Sequence, residues 1–266
     1  MNYEKMLGSV FYLLSAVAII VFVGGIVGLV HLWMLGKRKS PHKNIHSKWI
    51  TSFLKTVLFQ PQILEYGFIA WLAHILIFYG FMMLFMLTSM EAIVAWLIAP
   101  HSEFVMSYFK SGNGTLIWAF WGDVAGLVLL LGIIIALVRR YIFPPKTFNT
   151  IIDDSIAIWF LFVVVVTGWF CEMVRIMVRP EAYDAAYSFA VYWMIPFLKN
   201  YNLSETFLAW TFWIHVIAGL VFVAYIPFSK FKHVFASPLV YSSVTAEDSY
   251  TKEKWLKKER IENYGS

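Results

Sequence analysis

Five long apolar stretches limit what this chain can fold into. They lie at about residues 8–35, 66–99, 115–140, 154–178 and 206–229. A helix needs about 20 predominantly apolar residues to cross a bilayer, and each stretch is long enough. Backbone polar groups in lipid must bond internally, and the short alternating segments of barrel strands are absent from the sequence. The sequence therefore predicts an all-α integral membrane protein, a bundle of five transmembrane helices.

The composition agrees with this prediction and excludes other classes of protein. Of the 266 residues, 60% are apolar and only 14% are charged, whereas soluble domains average about 45–50% and about 25%. The single cysteine, Cys171, excludes a disulfide framework, a cysteine-based zinc site and an iron–sulfur cluster held by this chain alone. We expect no nucleic-acid partner, because the basic residues that give the charge of +5 lie in connections and in the tail.

The distribution of basic residues predicts the orientation in the membrane. The first connection carries six of them, at Lys37, Arg38, Lys39, Lys43, Lys48 and Lys55, and residues 230–260 carry seven more. Cytoplasmic connections hold the excess of Lys and Arg in membrane proteins. The pattern predicts an outer N-terminus and a cytoplasmic C-terminus in the cytoplasmic (inner) membrane. We expect one membrane domain over 1–242 and a polar cytoplasmic tail over 243–266.

Two further segments do not look like spans. Residues 47–59 place basic and apolar groups at helical spacing, which indicates an interfacial helix on the cytoplasmic surface. Residues 181–204 are rich in Tyr and Trp and contain Pro196, which indicates an outer cap at the level of the lipid headgroups.

Histidines inside the apolar stretches are candidate functional groups, because ionisable side chains are costly in lipid. His215 and His233 are 18 residues apart, and in one continuous helix this is about five turns, with both imidazoles on one face about 27 Å apart. His74 lies about 12 Å inside the cytoplasmic end of the second span, at the depth of His233. Imidazole is the usual axial ligand of a b-type haem in a helix bundle. The alternative is that each histidine bonds to a neighbouring helix.

Three other polar residues lie near the predicted outer ends of the spans. Glu172 and Arg175 share a helix face and form either a structural ion pair or a quinol site in which Glu172 accepts a proton and Arg175 fixes the headgroup. Asp123 is either a solvated residue at a helix end or part of a route for proton release. Asp153 and Asp154 are expected to stabilise the N-terminus of the fourth span.

Several motifs resemble those of the respiratory nitrate reductase gamma subunit family of b-type cytochromes. HVIAGLVFVAYIPFSKFKHVFASP, residues 215–238, resembles the last helix of that family, with its His, Pro-Phe-Ser-basic, His and Ser-Pro pattern. LAHILIFYGFMML around His74 resembles its second helix, and VRRYIFPP at 138–145 the end of its third. FLKT at 53–56 and residues 153–177 are similar to the branch that holds the E-subunit of heterodisulfide reductase and the cytochrome b subunits of sulfate-reducer redox complexes.

The resemblance implies five spans, two stacked b haems and a quinol site beside the outer haem. By position, His74 and His233 are the ligands of the inner haem, and His215 is a ligand of the outer one. The family's second histidine of the second helix is Leu84 here. The outer haem is therefore absent, five-coordinate or bound by another group as its sixth ligand. Of the candidate methionines, Met82 is favoured over Met83 and Met86. His31 either contacts the inner haem or has a core or headgroup role.

The resemblance also implies the function. The chain is expected to be an electron-transfer subunit of a quinol-linked oxidoreductase complex in anaerobic respiration. It would carry electrons between menaquinol or methanophenazine and a cytoplasmic iron–sulfur subunit similar to a heterodisulfide reductase catalytic subunit. Further membrane subunits are also compatible with the resemblance. The alternative is a haem-free membrane anchor or a small transporter, although few polar groups lie near the middle of the spans.

Overall fold

The computed structural model describes residues 3–35, 46–94, 101–111, 113–144, 152–180, 185–193, 196 and 201–240. Within these ranges every regular element is helical. The α-helices are α1 (Tyr3–Leu35), α2 (His46–Phe59), α3 (Pro61–Leu64), α4 (Phe68–Ile93), α5 (Glu103–Ser111), α6 (Asn113–Tyr141), α7 (Ile152–Val178), α8 (Phe189–Tyr192), α9 (Glu205–Tyr225) and α10 (233–240). Short 3-10 turns lie at Ala185–Tyr187, Ile226–Phe228 and Lys230–Lys232.

Among the described residues, five helical segments are long and apolar enough to cross a membrane, in agreement with the five predicted spans. They are Ser9–Leu35, Phe68–Glu91, Gly114–Tyr141, Ile152–Val178 and Glu205–Phe228. Large apolar side chains point outward along them, such as Leu13, Ile20 and Leu131, which are 65%, 70% and 52% exposed. Outward apolar faces of this extent suit contact with lipid. The chain is thus a multi-pass membrane protein whose described part is helical throughout its regular elements.

The chain divides into two units. A terminal unit contains Met1–Trp71 and Ala224–Ser266, and a central unit contains Leu72–Val223. The predicted helix at 47–59 is confirmed as α2. The predicted tail at 243–266, the basic residues 37–43 and parts of the 181–204 segment lie outside the described residues.

In the central unit, α4 and α6 approach each other closely at two glycines. A Cβ on Gly80 would lie 2.5 Å from the backbone nitrogen of Leu129, and a Cβ on Gly132 would lie 2.7 Å from that of Ile77. Small residues let membrane helices pack backbone to backbone, where dispersion replaces the missing hydrophobic driving force. α6 and α7 are also joined by an ion pair, with Arg140 Nη2 2.9 Å from Asp154 Oδ2.

In the terminal unit, α1 packs against the turn that follows α9. A Cβ on Gly25 would lie 2.5 Å from Pro227 Cβ, so glycine is required there. The rings of Phe22 and Phe235 meet edge to face, with centroids 6.1 Å apart. A cavity of about 700 Å³ lies along this part of α1, and His31 and Phe228 are among its lining residues.

The last helix is interrupted before His233, and the expectation of one continuous helical run to that residue is wrong. α9 ends at Tyr225, and Ser229 is extended, with φ −105° and ψ −176°. Pro227 has no N–H to continue the α-helical ladder, so the chain tightens into a 3-10 turn and then breaks. Regular helical spacing therefore does not extend from His215 to His233, and it does not place the two imidazoles on one face.

Candidate functional site

His215 lies on α9 in the central unit and is held by a side chain of α7. Its Nδ1 is 3.2 Å from Thr167 Oγ1. The Thr167 hydroxyl itself donates to the Val163 and Val164 carbonyl oxygens, at 2.8 and 3.0 Å. A hydroxyl has one proton and two lone pairs. With its proton directed to the backbone, the Thr167 oxygen is an acceptor for His215 Nδ1–H, which assigns the lone pair of the imidazole to Nε2. The Val164 carbonyl is a second hydrogen-bond partner of this ring.

The residue after Thr167 makes space for this imidazole. A Cβ on Gly168 would lie 2.9 Å from His215 Cε1 and 3.3 Å from Nε2. Cβ atoms almost never approach a neighbouring atom this closely, so any larger residue at position 168 displaces the ring. The half-buried His215 ring thus lies against the backbone of α7.

His233 has the same arrangement of nitrogens in the terminal unit. Its Nδ1 lies 2.5 Å from the Lys230 carbonyl oxygen. A carbonyl only accepts, so Nδ1 carries the proton and Nε2 the lone pair. Ser229 fixes the intervening turn, because its hydroxyl accepts from the Phe231 N–H at 3.1 Å and donates to the Ile226 carbonyl at 3.0 Å.

The remaining histidines and methionines of the predicted site are placed as follows. His74 is half-buried on α4 and belongs to the central unit, whereas His233 belongs to the terminal unit, and their pairing stays a prediction. His31 is exposed on α1 and lines the cavity of the terminal unit. Met82 is half-buried on α4, and its role as an iron ligand also stays a prediction.

Glu172 and Arg175 form the predicted ion pair on α7, and the pair is two-pronged. Arg175 Nε and Nη2 donate to the two carboxylate oxygens of Glu172 at 2.9 and 2.7 Å. Ser188 Oγ donates to the same carboxylate at 2.7 Å, and this serine is 1% exposed. Two-pronged pairs between a guanidinium and a carboxylate hold a fixed geometry. The carboxylate therefore joins α7 to the segment before α8.

Asp123 lies on α6 and is buried, with 7% of its surface exposed, so the alternative of a solvated helix-end residue is wrong. Its Oδ2 accepts from the Ala190 backbone N–H at 2.7 Å. Ala190 is two residues after Ser188, so Asp123 and Glu172 hold the same short segment from two different helices.

This segment, residues 185–192, covers the adjoining ends of α6 and α7. Ala185 and Val191 are buried with Ile176, and Trp169 and Met173 of α7 pack around them. A second two-pronged pair joins α7 to α9, with Arg179 Nε and Nη2 2.9 and 2.7 Å from the oxygens of Glu205. These hydrogen bonds raise the pKa of the exposed Arg179 guanidinium above its ordinary value. Exposed pairs stabilise little.

The donor chemistry of His215 and His233 fits a b-type haem. A histidine that binds metal usually donates its other ring N–H to an oxygen, which orients the ring. Both residues have this form, through Thr167 and Lys230. Across the described part of the chain, no group of three or more His, Cys, Asp or Glu side chains could hold a bare metal ion. An axial haem site needs only one or two such ligands.

Sequence reasoning missed three residues of this region, namely Thr167, Gly168 and Ser188, and it identified Lys230 only as the basic residue of the Pro-Phe-Ser-basic motif. Thr167 and Gly168 follow a run of four valines in the middle of a span, and a polar residue beside a glycine after such a run was a usable signal. Ser188 and the Lys230 carbonyl act through contacts that only the folded backbone creates.

Comparison with known proteins places the chain among membrane redox subunits. A model of the nitrate reductase gamma subunit family matches residues 89–247, which is more than half of the chain. The chain is 26% identical over 250 residues to the "EtfAB:quinone oxidoreductase" of Syntrophomonas wolfei. That alignment covers 90% of this chain and 34% of the relative, so this chain spans about a third of that protein.

Relatives of similar length come from methanogens. The chain is 27% identical over 258 residues to the E-subunit of the dihydromethanophenazine:CoB–CoM heterodisulfide reductase of Methanosarcina thermophila, covering 85% of this chain and 88% of the relative. The protein of the same name from Methanosarcina barkeri is 26% identical over 254 residues, with 85% and 87% covered. No solved structure matches the chain significantly.

Proposed function

Because the chain belongs to the nitrate reductase gamma subunit family, we propose that it is the b-type haem membrane subunit of a respiratory redox complex. It exchanges electrons between a membrane quinol, either menaquinol or methanophenazine, and an iron–sulfur subunit in the cytoplasm. The observation that carries this proposal is the hydrogen bonding of His215 and His233, since each ring has an oxygen acceptor at Nδ1, which is the usual arrangement of a histidine that binds metal through Nε2.

Three histidines would hold the haems. His74 and His233 bind the inner haem, and His215 binds the outer one, with Met82 as the candidate sixth ligand and His31 as a candidate contact of the inner haem. When bound, haem supplies a one-electron carrier whose potential depends on its axial ligands and its burial. The chain would orient each imidazole and surround the haem with apolar side chains.

The quinol site lies beside the outer ends of α6 and α7 and uses Asp123, Glu172 and Arg175. Oxidation of a quinol releases two protons together with two electrons, so a carboxylate at the site has a chemical task. Protonation of Glu172 would break its pair with Arg175, whereas Asp123 accepts from a neutral backbone N–H. We therefore assign proton acceptance to Asp123. The Glu172–Arg175 pair positions the headgroup and the 185–192 segment.

The relatives support a partner that carries the remaining redox chemistry. The quinone oxidoreductase from Syntrophomonas is about three times as long as the region that it shares with this chain. The methanogen relatives are named as one lettered subunit of a heterodisulfide reductase. We propose that the partner here is a separate cytoplasmic iron–sulfur subunit similar to a heterodisulfide reductase catalytic subunit. The partner docks on the basic, cytoplasmic side of this chain. In this orientation the N-terminus of this chain lies outside and its C-terminus lies in the cytoplasm.

A visible spectrum of the purified protein tests the proposal. We expect an α band of reduced b-type haem after dithionite, and partial reduction when a short-chain menaquinol is added. A haem-free membrane anchor would show neither signal. If the protein takes up haem but is not reduced by a quinol, the assignment as a cytochrome stands and the proposed quinol site is wrong.

A further inference from the structure

The contact between α7 and His215 has a consequence beyond holding a side chain in place. We propose that Thr167 and Gly168 are positioning residues for His215, and that the Thr167 hydroxyl sets the reduction potential of the outer haem. This inference rests on the proposed function, in which His215 Nε2 binds haem iron.

The geometry supports one hydrogen-bond direction between the two side chains. Thr167 Oγ1 is 2.8 Å from the Val163 carbonyl, four residues earlier, and 3.0 Å from the Val164 carbonyl. These acceptors lie on the helix of Thr167 itself and are present whether or not a ligand is bound. With the hydroxyl proton on one of these carbonyls, the Thr167 oxygen is available to His215 Nδ1–H, 3.2 Å away. The Val164 carbonyl is a second acceptor beside the imidazole and remains in every variant at position 167.

An acceptor at Nδ1–H makes the opposite nitrogen a stronger donor to iron. The hydrogen bond leaves more electron density on the ring, and the more electron-rich Nε2 stabilises the ferric state relative to the ferrous state. Loss of such an outer contact typically weakens metal binding by about 10–100-fold. If the ferric form is weakened tenfold more than the ferrous form, the potential of a one-electron couple rises by about 59 mV.

Gly168 controls the position of the ring and not its electronics. A Cβ there would approach Cε1 to 2.9 Å, so Gly168→Ala must displace the imidazole or the helix. Gly122 is on α6 in the same unit, and no described atom outside its own stretch of helix lies within 4 Å of the Cβ that a larger residue would place there. Gly122→Ala is therefore a matched control.

The test measures potentials and spectra and not turnover. Thr167→Val keeps the shape of the side chain and removes the acceptor, and Thr167→Ser keeps the acceptor. In a spectroelectrochemical titration of the full-length protein, we expect Thr167→Val to raise the potential of one haem, by about 59 mV for a tenfold effect. The other haem should be unchanged, and Thr167→Ser should restore the original value. Loss of that haem in Thr167→Val, with retention in Thr167→Ser, also supports the inference.

His215→Ala separates the failure of this inference from the failure of the proposed function. If His215→Ala retains every haem with an unaltered spectrum, His215 is not a ligand and both proposals are overturned. If His215→Ala loses a haem but Thr167→Val leaves both potentials unchanged, only the role of Thr167 is overturned. Gly168→Ala should alter or abolish the same haem signal that His215→Ala removes. An unaltered signal in Gly168→Ala, equal to that in Gly122→Ala, would overturn the role of Gly168.

Discussion

Single hydrogen bonds decide which nitrogen each imidazole offers. At His233 the acceptor is a backbone carbonyl, that of Lys230, and at His215 it is the hydroxyl of Thr167. The two carboxylates of the candidate quinol site also differ in their hydrogen-bond partners. Glu172 is paired with a guanidinium, whereas Asp123 meets a backbone amide. The chemical capacity of each side chain thus follows from its partner as much as from its residue type.

Asp123→Asn tests the assignment of the proton acceptor. Asparagine retains an oxygen that can accept from the Ala190 N–H, so the 185–192 segment should stay in place, but it cannot take up a proton. We expect the maximal rate of haem reduction by menaquinol to fall by about 10²–10⁴-fold, the usual contribution of a general base. The KM for quinol should change little, and reduction by dithionite should stay complete. Stopped-flow absorbance gives both quantities.

Glu172→Gln should give a different kinetic result. The amide weakens the two-pronged contact with Arg175 and so disturbs the position of the headgroup. We expect a higher KM for quinol and slower reduction at low quinol concentration, with both haems still bound. Normal quinol kinetics in this variant would remove Glu172 from the site, and a loss of maximal rate larger than in Asp123→Asn would reverse the two roles.

At the level of helices, two kinds of contact hold the central unit together. α4 and α6 meet backbone to backbone at Gly80 and Gly132, and polar side chains at Asp123 and Glu172 fasten the 185–192 segment. Small residues permit the first kind, and buried hydrogen bonds the second. These contacts create the environment of α7, on which Thr167, Gly168 and Glu172 all lie.

Gly132→Ala should destabilise the packing of α4 against α6. The added methyl would lie 2.7 Å from the backbone nitrogen of Ile77, which cannot move independently of its helix. Overpacking of this kind costs about 1–3 kcal/mol. Gly122→Ala is the control on the same helix, because no described atom lies within 4 Å of its Cβ position. Thermal unfolding in detergent should show a lower midpoint for Gly132→Ala alone, and equal midpoints would contradict this packing.

The helices could be predicted from sequence more completely than the site. Runs of about 25 apolar residues leave the backbone no alternative to a helix in lipid, so the five spans were predictable. The interruption at Ser229 was not predicted, although Pro227 was a visible signal for it. The pair of Glu172 and Arg175 followed from helical spacing alone. Ser188, which also donates to Glu172, lies 16 residues away from it along the chain. It reaches Glu172 only after the 185–192 segment folds back.

The whole molecule is a helical membrane protein of the nitrate reductase gamma subunit family, and five helices in its described part are long enough to cross a membrane. The role that we propose for it is to carry electrons between two other molecules. One cysteine in 266 residues leaves the chain without its own iron–sulfur cluster. The proposed haem carrier in the membrane and the proposed cluster-bearing partner in the cytoplasm would complement each other. The relative from Syntrophomonas, about three times longer than the shared region, agrees with such a division of tasks.

The haem content of three histidine variants tests this account most directly. The pyridine haemochrome assay, applied to purified wild-type protein and to His74→Ala, His233→Ala and His215→Ala, counts haem per chain. We expect two b haems in the wild type and one in each variant. His74→Ala and His233→Ala should lose the same low-spin signal, and His215→Ala should lose the other. A wild-type protein that binds no haem, or three variants that all retain the wild-type haem content and spectrum, would contradict it.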